Sequence, residues 1–206
     1  MTIAVVDYCA GNLGSVVKAL IAAGATPHVV ASITSIRNPS GIVIPGVGHF
    51  GAMQSIDDGE RRAIRAEVER GTPLLGICLG MQWLFDGSDE APDQEGLSLL
   101  AGRCRRLTAR AVKVPHVGWN SLERTRRTSR LLEGLATGVA VYFTHSYAMA
   151  ATDDAVALTT HGDPFASVVE RGHIFGTQFH PEKSGEDGLR VLRNFIAVSR
   201  IGRGRC

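Results

Sequence analysis

Three short stretches of this 206-residue chain carry side chains of the types and spacings that reactions need. The first is Gly76-Ile77-Cys78-Leu79-Gly80. Residues 72–77 are apolar and proline-led, which predicts a short buried strand, and residues 79–85 predict the first turns of a helix. A strand that turns sharply into a helix through Gly-x-nucleophile-x-Gly is a nucleophile elbow, here with Cys where hydrolases carry Ser. The flanking glycines matter because strand and helix can approach only without side chains between them. The helix N-terminus directs partial positive charge at Cys78 and favours thiolate over thiol. Taken alone, the motif fits a buried structural cysteine beside packing glycines equally well.

A cysteine nucleophile needs a base, and the base needs an orienting group. Seven histidines compete for that role. His28, His161 and His173 sit beside turns or strand starts with no acidic neighbour and read as surface residues. His49 lies in a glycine-rich turn, His116 in the Pro115-His116-Val117-Gly118-Trp119-Asn120 loop, and His145 at a strand end. His180 differs, because Gln178-Phe179-His180-Pro181-Glu182 ends a strand with His and Glu two residues apart. Residues two apart in extended chain share a side, and Pro181 favours that conformation at His180. Glu182 can then hold one imidazole nitrogen while the other faces Cys78. A metal at these two residues would need further ligands at fitting spacing, and the sequence offers none, so neither metal nor cofactor is expected.

The third stretch, Pro45-Gly46-Val47-Gly48-His49-Phe50-Gly51, follows an expected strand over 41–44. Open α/β sheets place ligands at such turns, at the carboxyl ends of strands. It lacks the ending of a P-loop and does not fit GxGxxG. It suits backbone N–H groups presented to an oxyanion, or a tight turn with no chemistry.

Apolar runs over 3–7, 27–30 and 41–44 alternate with helical patterns over 13–23 and 57–70, the latter with Ile64 and Val68 on an inner face and its charges elsewhere, which predicts a parallel sheet covered on both faces. Residues 86–96 are acidic and turn-rich and read as a loop. Beyond residue 100, strand patterns over 102–108, 117–122, 139–144, 155–160, 166–171 and 174–178 alternate poorly with helices, so part of the sheet is expected to be antiparallel. A helix over 185–201 closes the chain. The expected fold is therefore α/β: a single domain over 1–206 with a central mixed, mostly parallel sheet flanked by helices and a nucleophile elbow at Cys78.

Hydrophobic residues make up 44% of the chain and charged residues 20%, ordinary values for a globular protein. The four cysteines, Cys9, Cys78, Cys104 and Cys206, have neither disulfide-framework nor zinc-site spacing. The amino-terminal segment reaches acid at Asp7, too soon for a secretory signal, and no apolar run has membrane-spanning length. A cytoplasmic setting without membrane contact is expected. Arginines cluster over 103–110, 124–130 and 200–205, yet the net charge is only +2. Without interleaved aromatics these clusters read as solvated or partner-contacting faces rather than a nucleic-acid site.

GICLGMQ followed about a hundred residues later by QFHPEKS resembles the class-I glutamine amidotransferases, whose triad is Cys-His-Glu. Further likenesses at Asp7-Tyr8, Gly11-Asn12-Leu13, Ser15-Val16, residues 44–50, residues 113–120 and residues 142–147 narrow the resemblance to the glutaminase subunits of imidazole glycerol phosphate synthases. Cys9 departs from the glycine expected there. The resemblance implies that Cys78 attacks the carboxamide of glutamine, that His180 moves the protons, and that Glu182 fixes the imidazole tautomer. The oxyanion would meet the backbone N–H of Leu79 and one from Gly46, Val47 or Gly48. Gln82, His145, Ser146 and Tyr147 resemble the family's glutamine-binding groups. The implied partner is a (β/α)₈ cyclase that takes up the ammonia, forming a heterodimer through a face with Asn12, Trp119, Tyr142 and Lys183. Rival readings are another amidotransferase of the group, a Cys-His hydrolase of small esters, and a non-catalytic interaction subunit.

Overall fold

Ile3 and Val5 point to one side of the first strand and Ala4 and Val6 to the other, and all four are buried. A strand that is apolar on both faces must be covered twice. The computed structural model, which describes residues 1–9, 12–108, 112–125 and 128–201, supplies both covers. β1 (Thr2–Val6), α1 (Leu13–Ala22), β2 (Thr26–Val30), β3 (Gly41–Ile44), α2 (Asp58–Glu69), β4 (Leu74–Ile77) and α3 (Leu79–Trp83) follow one another as the alternation requires. α1 stops at Gly24, whose φ of +93° suits glycine. α2 starts on Asp57, whose carboxylate accepts from the Glu60 N–H at 2.8 Å.

The second half is built from short strands. These are β5 (Gly87–Ser88), β6 (Ala91–Glu95), β7 (Arg103–Arg106), β8 (His116–Ser121), β9 (Glu123–Arg124), β10 (Ala140–His145) and β11 (Tyr147–Ala148). β12 (Ala155–His161), β13 (Asp163–Arg171) and β14 (Ile174–Thr177) then lead to α4 (Gly185–Ile201). Eight strands form the main sheet, in the order β2-β1-β3-β4-β14-β13-β12-β9. It is parallel from β2 to β14 and antiparallel beyond, the mixed sheet that the sequence predicts. α1 and α4 cover one face with Val16, Leu20, Leu192 and Phe195, while α2 and α3 cover the other with Ile64, Leu79 and Met81. Each such side chain contributes about 1.5–3 kcal/mol on burial.

Three expectations need correction. Residues 86–96 are not a loop: β5 and β6 pair as a hairpin and join a four-stranded sheet in the order β11-β7-β5-β6. β8 and β10 leave the main sheet and pair with each other. Glu60 does not face solvent with the other charges of α2; its carboxylate is buried and accepts from the Ser32 hydroxyl at 2.7 Å and the Ile33 N–H at 2.6 Å. Of the arginine clusters, Arg110, Arg126, Arg127, Arg203 and Arg205 lie outside the described residues, as does Cys206. Among those described, no helix is long and apolar enough to cross a membrane, and no His/Cys/Asp/Glu group is placed to hold a metal ion.

Candidate active site

β4 delivers Cys78 to the carboxyl edge of the sheet, between β3 and β14. Cys78 has φ +52° and ψ −105°, a backbone state that costs a non-glycine residue on the order of 1–3 kcal/mol. Its N–H donates to the Thr177 carbonyl at 2.7 Å and its own carbonyl accepts from the Gln82 N–H at 3.0 Å, which holds the turn from both ends. The flanking glycines act as steric reasoning requires. A Cβ on Gly80 would lie 1.9 Å from the Ile44 carbonyl oxygen, and one on Gly76 would lie 2.6 Å from the Gly80 carbonyl. α3 has only five residues, so its dipole is weaker than that of the longer helix expected. Individual donors therefore set the environment of the sulfur.

His180 stands on extended backbone, φ −98° and ψ 97°, as a following proline favours. Its Nδ1 lies 2.8 Å from Glu182 Oε1, and both side chains are 1% exposed. The expected contact is made, but by a different route. Glu182 belongs to a 3₁₀ turn, Pro181–Lys183, which folds the carboxylate back to the ring where extended chain would have carried it onward. Burial alone would lower the pKa of His180. The Cys78 and Glu182 side chains outweigh that effect and raise it from 6.5 to about 9, so the ring is an imidazolium at neutral pH. Nε2 makes no hydrogen bond of ordinary length to a described residue, although the sulfur is near enough to act on the ring.

A cleft of ≈ 200 Å³ opens beside Cys78, lined by Gly48, Leu79, Gln82, Thr144, His145, Ser146 and Tyr147 among others. The backbone N–H groups of Val47, Gly48 and Leu79 donate to no described residue. Gly46 is wedged against the elbow: a Cβ there would meet Leu79 Cβ and Tyr8 Oη, each at 2.6 Å. A larger cleft of ≈ 380 Å³ at the ends of β1 and β2 holds Asp7, Ser32 and Glu60 but no paired nucleophile and base.

Two functional candidates escape the sequence reading. Glu90 lines the Cys78 cleft from the turn of the β5–β6 hairpin, and its Oε2 accepts from the Phe50 N–H at 2.7 Å. The available signal was a carboxylate in the acidic segment after the elbow. Gln178 lies behind the sulfur, 3.6 Å from Sγ through Nε2, and is fully buried. Its signal was a long amide side chain at the end of a buried strand, two residues before His180.

The expected glutamine-binding residues gather around the cleft, with Gln82 and His145 buried and Ser146 and Tyr147 half-buried. His145 Nδ1 donates to the Tyr147 carbonyl at 2.9 Å, and its Nε2 accepts from His116 at 3.1 Å. Burial, together with neighbouring histidines, lowers His145 to about 3 and His116 to about 4, so both rings are neutral. His161 is not simply a surface residue, since it stacks on His116 with ring centroids 4.0 Å apart. Of the expected interface residues, Trp119 is 58% exposed and meets Tyr142 edge-on at 6.1 Å, and Lys183 Nζ lies 5.7 Å from the Tyr142 ring. Asn12 precedes α1, which packs against the Pro181–Lys183 turn.

Residues 4–198 match the family Glutamine amidotransferase class-I. The chain is 47% identical over 205 residues to the imidazole glycerol phosphate synthase subunit HisH of Halobacterium salinarum, covering 95% of this chain and 92% of that protein. The subunit of the same name from Moorella thermoacetica is 46% identical over 202 residues, with 96% and 95% covered. A solved glutamine amidotransferase shares the fold, with a TM-score of 0.75 at 21% identity over 96% of this chain and 98% of that one.

Proposed function

The chain belongs to the class-I glutamine amidotransferases, and from that premise we propose that it is the glutaminase subunit of an imidazole glycerol phosphate synthase, acting in histidine biosynthesis. The observation that carries the reading is a strained cysteine at a strand–helix elbow beside a buried imidazolium–carboxylate pair. Cys78 thiolate attacks the side-chain carbonyl carbon of glutamine, forming the S–C bond as the carbonyl electrons move to oxygen. N–H groups of Leu79 and of the Gly46–Val47–Gly48 turn hold that oxyanion; each such donor is worth about 10²–10³ in rate. His180 gives its proton to the departing nitrogen, and ammonia leaves a glutamyl thioester. His180, now neutral, takes a proton from water; hydroxide attacks the thioester and expels the thiolate, leaving glutamate.

Glu182 holds the ring tautomer throughout. Gln82, His145, Ser146 and Tyr147 shape the substrate cleft, and the Glu90 carboxylate supplies the negative charge that suits the α-ammonium of glutamine. The partner is a (β/α)₈ cyclase bound as a heterodimer, docking on the patch of Trp119, Tyr142, Lys183 and Asn12. An exposed tryptophan edge-on to a tyrosine is the composition from which interface anchors are drawn. The setting is cytoplasmic, and the whole of 1–206 acts as one amidotransferase domain.

The experiment is glutamate release by the chain mixed with its cyclase, glutamine and the cyclase's acceptor. Cys78→Ser and His180→Ala should each abolish glutamine-dependent synthesis while synthesis from added ammonium salt survives. Wild-type glutamine turnover by Cys78→Ser would reject the reading, and ester hydrolysis without glutaminase activity would favour the rival hydrolase.

A further inference from the structure

Behind the cleft, a run of hydrogen bonds reaches the sulfur, which as a thiol donates in turn to the Thr144 carbonyl at 3.9 Å, and the direction of the run is set by one atom. The Tyr147 carbonyl can only accept. Gln82 Nε2 meets it at 2.8 Å and His145 Nδ1 at 2.9 Å. Gln82 Nε2 also lies 3.1 Å from the Gln178 side chain, so the atom facing it must be the acceptor, Oε1. The Gln178 amide nitrogen is thereby turned the other way, and it donates to Cys78 Sγ at 3.6 Å.

The opposite branch obeys the same logic. His145, with its proton on Nδ1, accepts at Nε2 from His116 Nδ1 at 3.1 Å, and His116 Nε2 accepts from Asn120 Nδ2 at 3.3 Å. The orientation of a glutamine amide is an assignment from its network, and here the network permits one answer. Flipping Gln178 would set NH₂ against NH₂ at Gln82 and a carbonyl against the sulfur. Gln178 is 0% exposed and Gln82 4%, so no solvent would compensate either clash.

We propose that Gln178 is a further catalytic residue of the glutaminase reaction, donating a hydrogen bond to the Cys78 sulfur that favours its thiolate. The inference rests on the amidotransferase reading above. A bond from N–H to an ionised acceptor is roughly twice as strong as one to a neutral acceptor, so the contact discriminates thiolate from thiol. It acts where the five-residue α3 supplies little dipole. The bond weakens when the sulfur is acylated and is regained as the thioester breaks, which makes the thiolate a better leaving group. Gln82 keeps the donor aimed.

The test is alkylation of Cys78 by iodoacetamide in the full-length chain, followed by peptide mass so that Cys9, Cys104 and Cys206 are scored separately. Gln178→Met keeps length and bulk but removes both polar atoms. At pH 7 the variant should alkylate about tenfold more slowly than wild type, the loss of one charge-assisted bond. The difference should shrink as pH rises, because hydroxide ionises the thiol without help from the bond in either protein. Equal rates at pH 7, or a deficit that persists unchanged to high pH, would overturn the role. Where Gln178→Met does not fold, the side-chain amide resonance of Gln178 replaces it as the readout. That resonance should shift on Cys78→Ala, and an unmoved signal overturns the contact. Failure of the amidotransferase reading shows separately, as a wild-type chain that alkylates normally yet hydrolyses no glutamine with its cyclase, and it removes the catalytic assignment too.

Discussion

Replacing Glu182 by Gln separates the charge of the carboxylate from its geometry. A glutamine oxygen can accept from His180 Nδ1 where Glu182 Oε1 now does, at 2.8 Å, so the ring keeps its tautomer. The lost element is a negative charge beside an imidazolium, in a pair whose side chains are each 1% exposed. Burial pulls His180 down, and Cys78 and Glu182 together lift it to about 9. Removing one of the two lifting partners while burial remains should lower His180 by on the order of one to two units, equivalent to about 1.4–2.7 kcal/mol of imidazolium stabilisation. Protonation of the departing amide needs the imidazolium, so the alkaline limb of the rate should move down by the same amount. At pH 8 the variant should turn over roughly two- to tenfold more slowly from this cause, with a much smaller deficit at pH 6. The assay is glutamate release against pH at saturating cyclase and glutamine.

The same shift has a stability signature of known sign. A folded-state pKa above the unfolded value stabilises fully below the unfolded pKa and is lost as pH rises through the folded one. For His180 that window runs from 6.5 to about 9. Wild type should therefore exceed Glu182→Gln in Tm at pH 6, and the gap should shrink as pH rises through that window and be nearly gone once pH passes 9. An alkaline limb that does not move, with Tm curves that stay parallel, would refute the reasoning.

Other perturbations probe other links. Gly80→Ala puts a Cβ 1.9 Å from the Ile44 carbonyl oxygen, a backbone atom, and should cost more than about 3 kcal/mol in urea unfolding; a mild loss would mean that β3 can yield. Glu90→Gln keeps an acceptor for the Phe50 N–H but removes the charge in the cleft, so KM for glutamine should rise about tenfold or more, while kcat changes little. His116 and His145, held neutral mainly by burial at about 4 and about 3, contribute stability present above pH 6.5 and lost as pH falls through 4. Tm should drop accordingly between pH 6.5 and 4, and His116→Asn should flatten that drop; an equally steep curve in the variant would exclude the pair as its source.

Whether an element can be read from sequence depends on where its stabilisation comes from. β1, β3 and β4 carry their own signal, continuous apolar runs that stop at Asp7, Pro45 and Cys78, and the sequence bounds agree closely with the structure. β6 has none: Ala91-Pro92-Asp93-Gln94-Glu95 is polar and contains proline, and it reads as loop because its pairing is held from outside. Arg103 donates to the Ser88 and Pro92 carbonyls at 3.0 Å each, and the Asp86 carboxylate accepts from the Gly102 N–H at 2.7 Å. Glu90 was hidden for the same reason, since its approach to Phe50 depends on that hairpin. Gln178 was hidden by distance along the chain, its partners being Cys78 and Gln82. His161 read as a surface residue because its ring partner, His116, lies on a strand that the pattern alone could not align with it.

The Gly46-Val47-Gly48 turn shows how one motif can hide two physical demands. From sequence, both glycines look like licences for the Val47 peptide to swing, which suggests a gate aiming either N–H or C=O at the oxyanion. The structure separates them. Gly46 is a glycine because of contact: Leu79, Tyr8 and the Gly80 nitrogen crowd the place of a Cβ, so only a residue without a side chain lies this close to the elbow. Gly48 is a glycine because of torsion: its φ is +100°, and nothing lies within 4 Å of where a Cβ would be. Crowding excludes a side chain at Gly46 but sets no torsion there, so either peptide flanking Val47 can reorient. The N–H groups of Val47 and Gly48 belong to those two peptides, so a swing of one would move one donor and leave the other almost in place. A gate of this kind would tune the rate through a single donor, by about 10²–10³, rather than dismantle the oxyanion site.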